Sequence, residues 1–406
     1  MPSLDIDFVR AQFPAFSEPT LQGQAFFENA GGSYTCAPVI DRLTRFYTQR
    51  KVQPYAPYAA SELAGAEMDE ARARMAVVLG VEPDELSFGP STTQNTYVLA
   101  QAVRGWLSPG DAIVVTNQDH EANSGPWRRL SEAGIEVREW QIDPATGHLD
   151  PEALKGVLDD RVRLVCFPHA SNVVGEINPV AEISAMVHAA GAFVCVDGVS
   201  YAPHGWPDVG ALGADVYLFS AYKTFGPHQG LMVVRRAFGD LLPNQAHYFN
   251  GDVLYKKFTP AGPDHAQVAA SAGMADYVDL LSTHHGGPSG GAGARFVAQL
   301  MQDHEAALLQ PVLDLLAARN DLRLIGPSDA ARRAPTVTLD LGRPAEPVAA
   351  QLAQHGIMAG GGDFYALRPL QAMGVDVAQG VLRLSFTHYT TQAEIDQLLQ
   401  ALEQVL

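Results

Sequence analysis

Asp197 and Lys223 each close a strand-like apolar run, FVCVD and VYLFSAYK respectively. Lys223 is the one lysine among five that directly follows such a run. An amine at this position is costly to bury unless it is neutral, paired or used covalently. Pyridoxal phosphate requires both groups, because a lysine forms its Schiff base and an acid keeps its pyridine nitrogen protonated. The two residues therefore predict either a pyridoxal-phosphate site or a structural Lys–Asp pair at the edge of a sheet.

Polar side chains also follow three other strand-like runs. Thr92 and Thr93 open a helix, where hydroxyls and free backbone N–H groups either bind phosphate or simply cap the helix. His120 is placed either to stack on a flat cofactor and handle protons or to lie in an exposed loop. Asn172 can donate to a phenolate oxygen or form an Asx turn. Because open α/β sheets bind ligands at the carboxyl ends of their strands, the shared position favours one ligand site.

The composition narrows the classes of function. The chain has 406 residues, a formal net charge of −18 and three cysteines. The charge disfavours nucleic acids and anionic membranes as partners. Three cysteines without a CxxC spacing form no disulfide framework, and His284-His285 lacks a third ligand, so we expect no metal site. No apolar run reaches the about 18 residues of a membrane span, and the N-terminus MPSLDID lacks a signal-peptide n-region. We therefore expect a cytoplasmic protein.

Strand-like runs alternate with helical stretches between about residues 85 and 234, which predicts an α/β domain with a mostly parallel sheet. The run at 181–190 is an amphipathic helix with Gly191 as its stop. Six runs are strand candidates: 85–88, 112–116, 163–167, 193–196, 216–219 and 231–234.

The last third of the chain has a different pattern. Residues 286–293 are too rich in glycine to favour regular structure, so we expect a flexible loop inside or beside a helix there, near the domain boundary. Residues 296–316 look helical, and the chain ends in a second helix at 391–405. Runs at 335–341 and 381–386 predict strands of a smaller α+β domain.

The chain resembles the class V branch of the fold-type I pyridoxal-phosphate enzymes, and specifically its cysteine-desulfurase-like members. The stretches that carry the resemblance run in order from Phe26 to Thr391: FFENAGG, SFGPSTTQNTYVLA, NQDHEANSGPW, FPHASNVVGEINPV, CVDGVSYAPHGWPDVGALGADVYLFSAYKTFGPHQG and VLRLSFTHYTT. The resemblance implies a large cofactor-binding domain with a mostly parallel seven-stranded sheet at 26–285 and a smaller C-terminal α+β domain at 286–406. It also implies that residues 1–25 pack with the small domain and that the protein is a homodimer.

The resemblance further implies a role for each site residue. Lys223 carries the cofactor covalently, Asp197 pairs with the pyridinium nitrogen and His120 stacks on the ring. Asn172 meets the phenolic oxygen. Arg383 grips the α-carboxylate of the substrate, for which a guanidinium fork is well suited. Four side chains are implied to bind the phosphate: Thr92, Thr93, Ser220 and Tyr222. Three residues are implied to line the substrate entrance: Asn29, Gly31 and Gly32.

The chain departs from the desulfurases at three places. Ser200 replaces a glutamine, and its shorter side chain reaches less far toward the phenolic oxygen. Tyr222 replaces a histidine, as in kynureninase-like members. The mobile loop that carries the nucleophilic cysteine reads AGGGDFY at residues 359–365 and contains no cysteine. Cys36 is the only other candidate nucleophile, and a structural role is the expected one. In the same loop region, Asp363 and Arg368 either select the substrate side chain or are solvated charges.

We therefore expect a pyridoxal-phosphate-dependent enzyme that acts on a small amino acid. If Lys223 removes the Cα proton and returns it to the cofactor, the protein is an aminotransferase, which is the favoured interpretation. If a β-substituent leaves instead, it is a lyase, which can include C–S cleavage without persulfide chemistry. A pyridoxal-phosphate-fold protein without turnover is a third hypothesis, and the intact Lys223, Asp197 and Arg383 argue against it.

Overall fold

The computed structural model describes residues 3–406. In these residues the strands are β1 (Ala25–Phe26), β2 (Leu86–Gly89), β3 (Ala112–Thr116), β4 (Glu136–Trp140), β5 (Val162–Pro168), β6 (Phe193–Asp197), β7 (Val216–Ser220), β8 (Gly230–Val234), β9 (Arg323–Ile325), β10 (Thr336–Asp340), β11 (Ile357–Met358), β12 (Gly360–Gly362) and β13 (Val381–Ser385).

The α-helices are α1 (Ile6–Ala11), α2 (Ala37–Gln49), α3 (Ala59–Leu79), α4 (Thr92–Trp106), α5 (Gly125–Arg128), α6 (Pro151–Leu154), α7 (Val180–Ala189), α8 (Val209–Leu212), α9 (Arg236–Gly239), α10 (Leu254–Lys257), α11 (His265–Ala270), α12 (Ala272–His284), α13 (Gly290–Ala317), α14 (Ala345–Gln354), α15 (Leu367–Ala372) and α16 (Gln392–Val405). None of the helices in the described residues has both the length and the apolar character needed to cross a lipid bilayer.

The large sheet has seven strands in the order β2-β8-β7-β6-β5-β3-β4. All neighbours pair in parallel except β8, which is antiparallel to both β2 and β7. The predicted mostly parallel seven-stranded sheet is therefore confirmed. In a sheet of this kind the carboxyl ends of β5, β6 and β7 lie at one edge. The site residues predicted near the ends of these strands therefore lie at that edge.

Successive side chains of the central strands point to opposite faces of the large sheet, so these strands contribute to a hydrophobic core on each face. In β6, Val194 and Val196 join one core and Cys195 joins the other. In β7, Tyr217 and Phe219 face the first core, and Val216 and Leu218 face the second. Every residue of β7 is buried, as expected for a strand that is covered by helices on both faces. The two central strands thus form a rigid support for whatever follows them.

A second unit is built around the antiparallel sheet β12-β13-β10-β9. Its core contains Phe27, and β1 pairs in parallel with β11, so the chain before the large sheet contributes to this unit. Helix α13 contributes Val297 and Met301 to the large core and Leu309 and Leu313 to the small one. It therefore joins the two units. The domain boundaries at residues 25 and 285 stay predictions.

Two expectations from the sequence need correction. The glycine-rich stretch 286–293 is not all loop, because α13 begins at Gly290. Its glycines bring the helix start close to neighbouring backbone: a Cβ at Gly291 would lie 3.3 Å from the carbonyl oxygen of Val77. The edge strand β4 was not among the six strand candidates, because its sequence EVREW is charged and partly exposed and lacks a continuous apolar run.

Candidate active site

A cavity of about 530 Å³ opens at the carboxyl ends of β5, β6 and β7. It brings together all but two of the side chains and glycines predicted for the site: Gly31, Thr92, Thr93, His120, Asn172, Asp197, Ser200, Ser220, Tyr222, Lys223 and Arg383. Asn29 and Gly32 lie beside the cavity rather than on its wall. Tyr389 donates a 2.7 Å hydrogen bond to the side chain of Asn29, and Gly32 packs against Tyr222.

Lys223 enters the cavity from a short 3-10 turn that follows β7. The residue as a whole is half-buried. Removal from water lowers its pKa to about 8, and the charge of Arg383 acts in the same direction, while Asp197 and Glu28 oppose the shift. An amine of this pKa is partly neutral near pH 7, and a neutral amine can act as a nucleophile or take up a proton.

Asp197 ends β6 and is 6% exposed. Burial raises the pKa of its carboxyl to about 6, whereas a hydrogen bond from the Val199 N–H (2.8 Å) and the charge of Lys223 lower it. A cationic N–H group in the cavity would compensate the buried carboxylate and hold it in its ionised form.

The amino end of α4 forms a candidate anion site. The hydroxyls of Thr92 and Ser220 lie 2.8 Å apart, at the helix start and at the end of β7. A Cβ at Gly230 would lie only 2.5 Å from the backbone nitrogen of Thr92, so this glycine allows β8 and the helix start to approach closely. Thr93 also lines the cavity. Hydroxyls and helix N-terminal N–H groups that face one space suit a phosphate.

His120 follows β3 and faces the cavity with its ring. Burial lowers its pKa to about 4, and the charges of Lys223 and Arg383 add to the effect. Its Nδ1 accepts a hydrogen bond of 3.0 Å from the Ala122 N–H, so in the neutral ring the proton is on Nε2. The ring is therefore a flat, uncharged surface near neutral pH.

The loop after β12 closes one side of the cavity. Phe364 and Tyr365 both adopt positive φ, 52° and 56°, which is uncommon for aromatic residues. Asn172 donates a hydrogen bond of 2.9 Å to the Phe364 carbonyl, and the Glu121 N–H donates one of 3.0 Å to the Tyr365 carbonyl. At the mouth of the cavity, Arg368 pairs with Glu121 at 3.1 Å.

The side chain of Asn172 therefore contacts the loop after β12 through its amide nitrogen. Its Oδ1 atom is buried and has no hydrogen-bond partner within the described part of the chain. One amide hydrogen remains for a ligand, because a side-chain amide has two donors.

Arg383 reaches the cavity from β13, and its side chain is 4% exposed. Its guanidinium donates a hydrogen bond of 2.6 Å to Glu28, and Phe364 stacks on it with 3.8 Å from the ring centroid to Cζ. Burial lowers the pKa of Arg383, and Glu28 opposes that shift. A buried guanidinium in a cavity suits a ligand carboxylate.

The residues on the cavity wall that were missed from the sequence include Glu28 and Tyr97. The sequence does contain a signal for Glu28, because it is an acidic residue that directly follows two phenylalanines in the stretch FFENAGG. Tyr97 lies in α4, five residues after Thr92, where the sequence predicts only a helix.

None of the three cysteines lines the cavity, and each is fully buried. Burial raises the pKa of the Cys36 thiol to about 12, and its sulfur contacts the Gly273 carbonyl oxygen at 3.8 Å. Within residues 3–406, no group of three or more His, Cys, Asp or Glu side chains is placed to hold a metal ion.

The arrangement fits pyridoxal phosphate. It offers the amine of the half-buried Lys223 for the aldehyde, a buried carboxylate for the ring nitrogen and a flat imidazole for the ring. The helix start with Thr92 and Ser220 suits the phosphate.

Comparison with known proteins gives the same assignment. Among solved structures, the cysteine desulfurase of Thermococcus onnurineus NA1 superposes with a TM-score of 0.85 at 24% identity, covering 100% of this chain and 98% of its own. The cysteine desulfurase CsdA of Escherichia coli superposes with a TM-score of 0.83 at 23% identity, covering 100% and 99%. At these identities the structures establish the fold.

Sequence similarity establishes the family. The aminotransferase-like protein FGM3 of Gibberella zeae is 34% identical, with 100% of this chain and 99% of FGM3 covered. A cysteine desulfurase of Dickeya dadantii is 32% identical, with 98% of this chain and 96% of its own covered. The model of the family "Aminotransferase class-V" matches residues 25–253 and 291–398. The chain thus belongs to the class V aminotransferase family, whose members use pyridoxal 5′-phosphate on the fold-type I architecture.

Proposed function

We propose that this protein is a pyridoxal-phosphate-dependent aminotransferase that acts on a small amino acid. The observation that carries the proposal is the meeting of Lys223, Asp197 and Arg383 in one cavity from which all three cysteines are absent. The first two residues suit the cofactor and the third suits an α-carboxylate. No thiol faces the substrate, so transfer of sulfur to the protein lacks an acceptor.

The bound cofactor withdraws electrons from the substrate Cα and so makes its proton acidic. Asp197 holds the proton on the ring nitrogen, and His120 covers one face of the ring. We assign the phosphate to Thr92, Thr93, Ser220 and Tyr222, and the phenolic oxygen to Asn172 and Ser200.

Lys223 moves the proton of the reaction. Its pKa of about 8 lies close to neutral pH, which is favourable for a group that first accepts and then donates a proton. Transamination requires the same amine to take the proton from the substrate Cα and to deliver it to the carbon that comes from the cofactor aldehyde. Arg383 holds the α-carboxylate and thereby orients the Cα–H bond toward the amine.

A pyridoxal-phosphate-dependent lyase that eliminates a β-substituent or cleaves a C–S bond is the second candidate. Identity of 30–32% to cysteine desulfurases favours it. It differs from the first candidate in the fate of the substrate rather than in the residues that remove the proton.

The experiment is a screen of the proteinogenic amino acids for ketoacid formation, with and without an added 2-ketoacid acceptor. An aminotransferase forms product continuously only with the acceptor present, because the amino group must leave the cofactor. A lyase forms ketoacid and ammonia without it. Lys223→Ala protein is the matched control, and no ketoacid from any amino acid under either condition would refute both candidates.

We also propose that the protein is a cytoplasmic homodimer. Large aromatic side chains are exposed on one part of the large domain, including Tyr248 (92%), Phe249 (68%) and Tyr55 (59%). Exposed aromatic groups of this size favour burial against a partner, and a second copy is the partner that the family resemblance implies. Light scattering on the purified protein measures the mass directly, and a monomeric mass would contradict the proposal.

A further inference from the structure

Arg383 already has a carboxylate partner inside the cavity. Glu28 accepts a hydrogen bond of 2.6 Å from its guanidinium. Glu28 follows β1, and Arg383 lies in β13, so the pair joins two parts of the chain that are far apart in sequence. A ligand carboxylate that approaches Arg383 therefore meets a negatively charged side chain in the same place.

The pair is incomplete on both sides. The Nε atom of Arg383 and the Oε2 atom of Glu28 are both buried without a hydrogen-bond partner among residues 3–406. The two residues share a single short contact, whereas guanidinium and carboxylate can form two parallel hydrogen bonds. A carboxylate that enters in a two-pronged geometry would satisfy Arg383 better than Glu28 does.

The backbone leaves room for the Glu28 carboxylate. A Cβ at Gly31 would lie 2.8 Å from its Oε1 atom, and a Cβ at Gly360 would lie 3.0 Å from its Oε2 atom. Neither glycine has a positive φ, and the nearest atom to each Cβ position is a carboxylate oxygen of Glu28, so the two glycines leave space for this carboxylate. Glu28 thus occupies a socket formed by two separate segments.

Of the two partners, Glu28 is the one that can move. Its side chain is 29% exposed, against 4% for Arg383, so it has a route to water. Arg383 is also held under the Phe364 ring. Loss of Glu28 from the pair without a replacement would leave a buried cation uncompensated, which is strongly unfavourable.

We infer that Glu28 is a specificity-determining residue that occupies Arg383 in the resting site and is displaced by the carboxylate of the substrate. This inference rests on the proposed role of Arg383 as the carboxylate-binding residue. Glu28 keeps the site electrically balanced until a carboxylate arrives. It therefore lowers the affinity for carboxylates and sets how strongly the site prefers them over uncharged ligands of the same shape.

The test is calorimetric titration of the holoenzyme with propionate, and with propionamide as its uncharged counterpart. Propionate lacks an amino group and cannot react with the cofactor, so the measurement is independent of turnover. Glu28→Gln keeps the shape of the side chain and removes the competing charge. We expect it to bind propionate about tenfold more tightly, the scale of one charge-assisted hydrogen bond, while propionamide binding is unchanged.

Three further variants make the outcome decisive. Glu182→Gln removes an equal charge from an exposed position of α7 and should leave propionate affinity unaltered. Glu28→Ala should also bind propionate more tightly, which covers the case in which the glutamine variant fails to fold. Arg383→Ala in the Glu28→Gln background should abolish the gain.

If Glu28→Gln binds propionate no better than the parent while Arg383→Ala loses it, Glu28 is not a competitor and the inference is wrong, although the proposed function stands. If Arg383→Ala binds propionate as the parent does, the role of Arg383 and the inference are both wrong.

Discussion

The carboxyl-terminal edge of the large sheet and the loop after β12 both contribute walls of the same cavity, and they are built in different ways. Asp197 ends β6 and Lys223 follows β7, two strands whose residues are almost all buried and whose neighbours fix their register. Phe364 and Tyr365 have positive φ and are held by two hydrogen bonds from distant side-chain and backbone donors.

This difference separates the residues that suit the cofactor from the loop residues that bear on the type of reaction. Groups that suit pyridoxal phosphate lie on the rigid side, where a substitution would disturb the core. The position at which the resemblance to the desulfurases implies a nucleophilic cysteine lies on the loop, where side chains can change at little cost to the fold. A chain can therefore keep the cofactor site and change the chemistry, and each prediction below tests one side of that division.

The largest effect is expected at Lys223. Lys223→Ala should lose covalent attachment of the cofactor and reduce turnover by at least about a thousand-fold, because the same amine is proposed to bind the cofactor and to move the proton. Borohydride reduction followed by peptide mass mapping identifies the labelled lysine in the parent protein. Lys155→Ala, at an exposed position, is the control. Labelling at a lysine other than 223 would contradict the assignment.

Asp197→Asn should rank second. The amide cannot hold a positive charge on the ring nitrogen, so we expect cofactor to remain bound and turnover to fall by about a hundred-fold, as for loss of one preorganised electrostatic contact. Absorbance of the bound cofactor and steady-state rates separate the two effects. A variant with a near-parental rate would place the partner of the ring nitrogen elsewhere.

The sequence predicts the rigid side of the cavity well, for a physical reason. A parallel sheet collects the carboxyl ends of its strands, so apolar runs and the polar residues after them are sufficient to place Thr92, Asn172, Asp197 and Lys223 at one edge. Family resemblance added Arg383, which no local pattern could place there.

The side of the cavity formed by the loop after β12 and by Glu28 is less predictable. Its contacts join residues that are far apart in sequence, and some of them use backbone carbonyl groups. Asn172 donates to the Phe364 carbonyl across 192 positions, and Glu28 meets Arg383 across 355. A pattern of residue types indicates neither pair, since carbonyl acceptors occur at every position. The edge strand β4 was missed for a related reason, because its partial exposure removes the apolar run that identifies a strand.

Arg383→Ala tests the place where the two sides meet. A charge-assisted pair with a carboxylate is worth about 1.5–3 kcal/mol, so amino-acid binding should weaken by roughly one to two decades. The absorbance of the bound cofactor should stay as in the parent. Arg368→Ala, which removes a guanidinium from the mouth of the cavity, should weaken binding by much less. Equal affinity of the Arg383 variant for amino acids would refute its role.

The same variant should have a smaller effect on Lys223. The positive charge of Arg383 lowers the pKa of the lysine, which is about 8, so removing that charge should raise it. A higher pKa leaves less neutral amine at a given pH. The pH midpoint for covalent capture of the cofactor by the apoprotein should therefore move upward. Rates measured in parallel with Nα-acetyl-lysine correct for titration of the cofactor itself, and a downward or absent shift would contradict the electrostatic coupling.

The smallest expected effect is at Cys36, where we predict none on sulfur chemistry. Persulfide formation requires a thiolate that reaches the substrate sulfur. Burial raises the pKa of the Cys36 thiol to about 12, and Cys36 does not line the cavity. Where a cysteine would be needed, the loop has Asp363, Phe364 and Tyr365. After incubation with cysteine, we expect no protein-bound persulfide in either the parent or Cys36→Ser. Pyruvate formed without persulfide would favour the lyase. Alanine formed together with a persulfide on Cys36, and lost in Cys36→Ser, would contradict this prediction. A cysteine outside the loop would then perform the step that the resemblance to the desulfurases assigns to the loop, and the division between cofactor site and reaction would no longer hold.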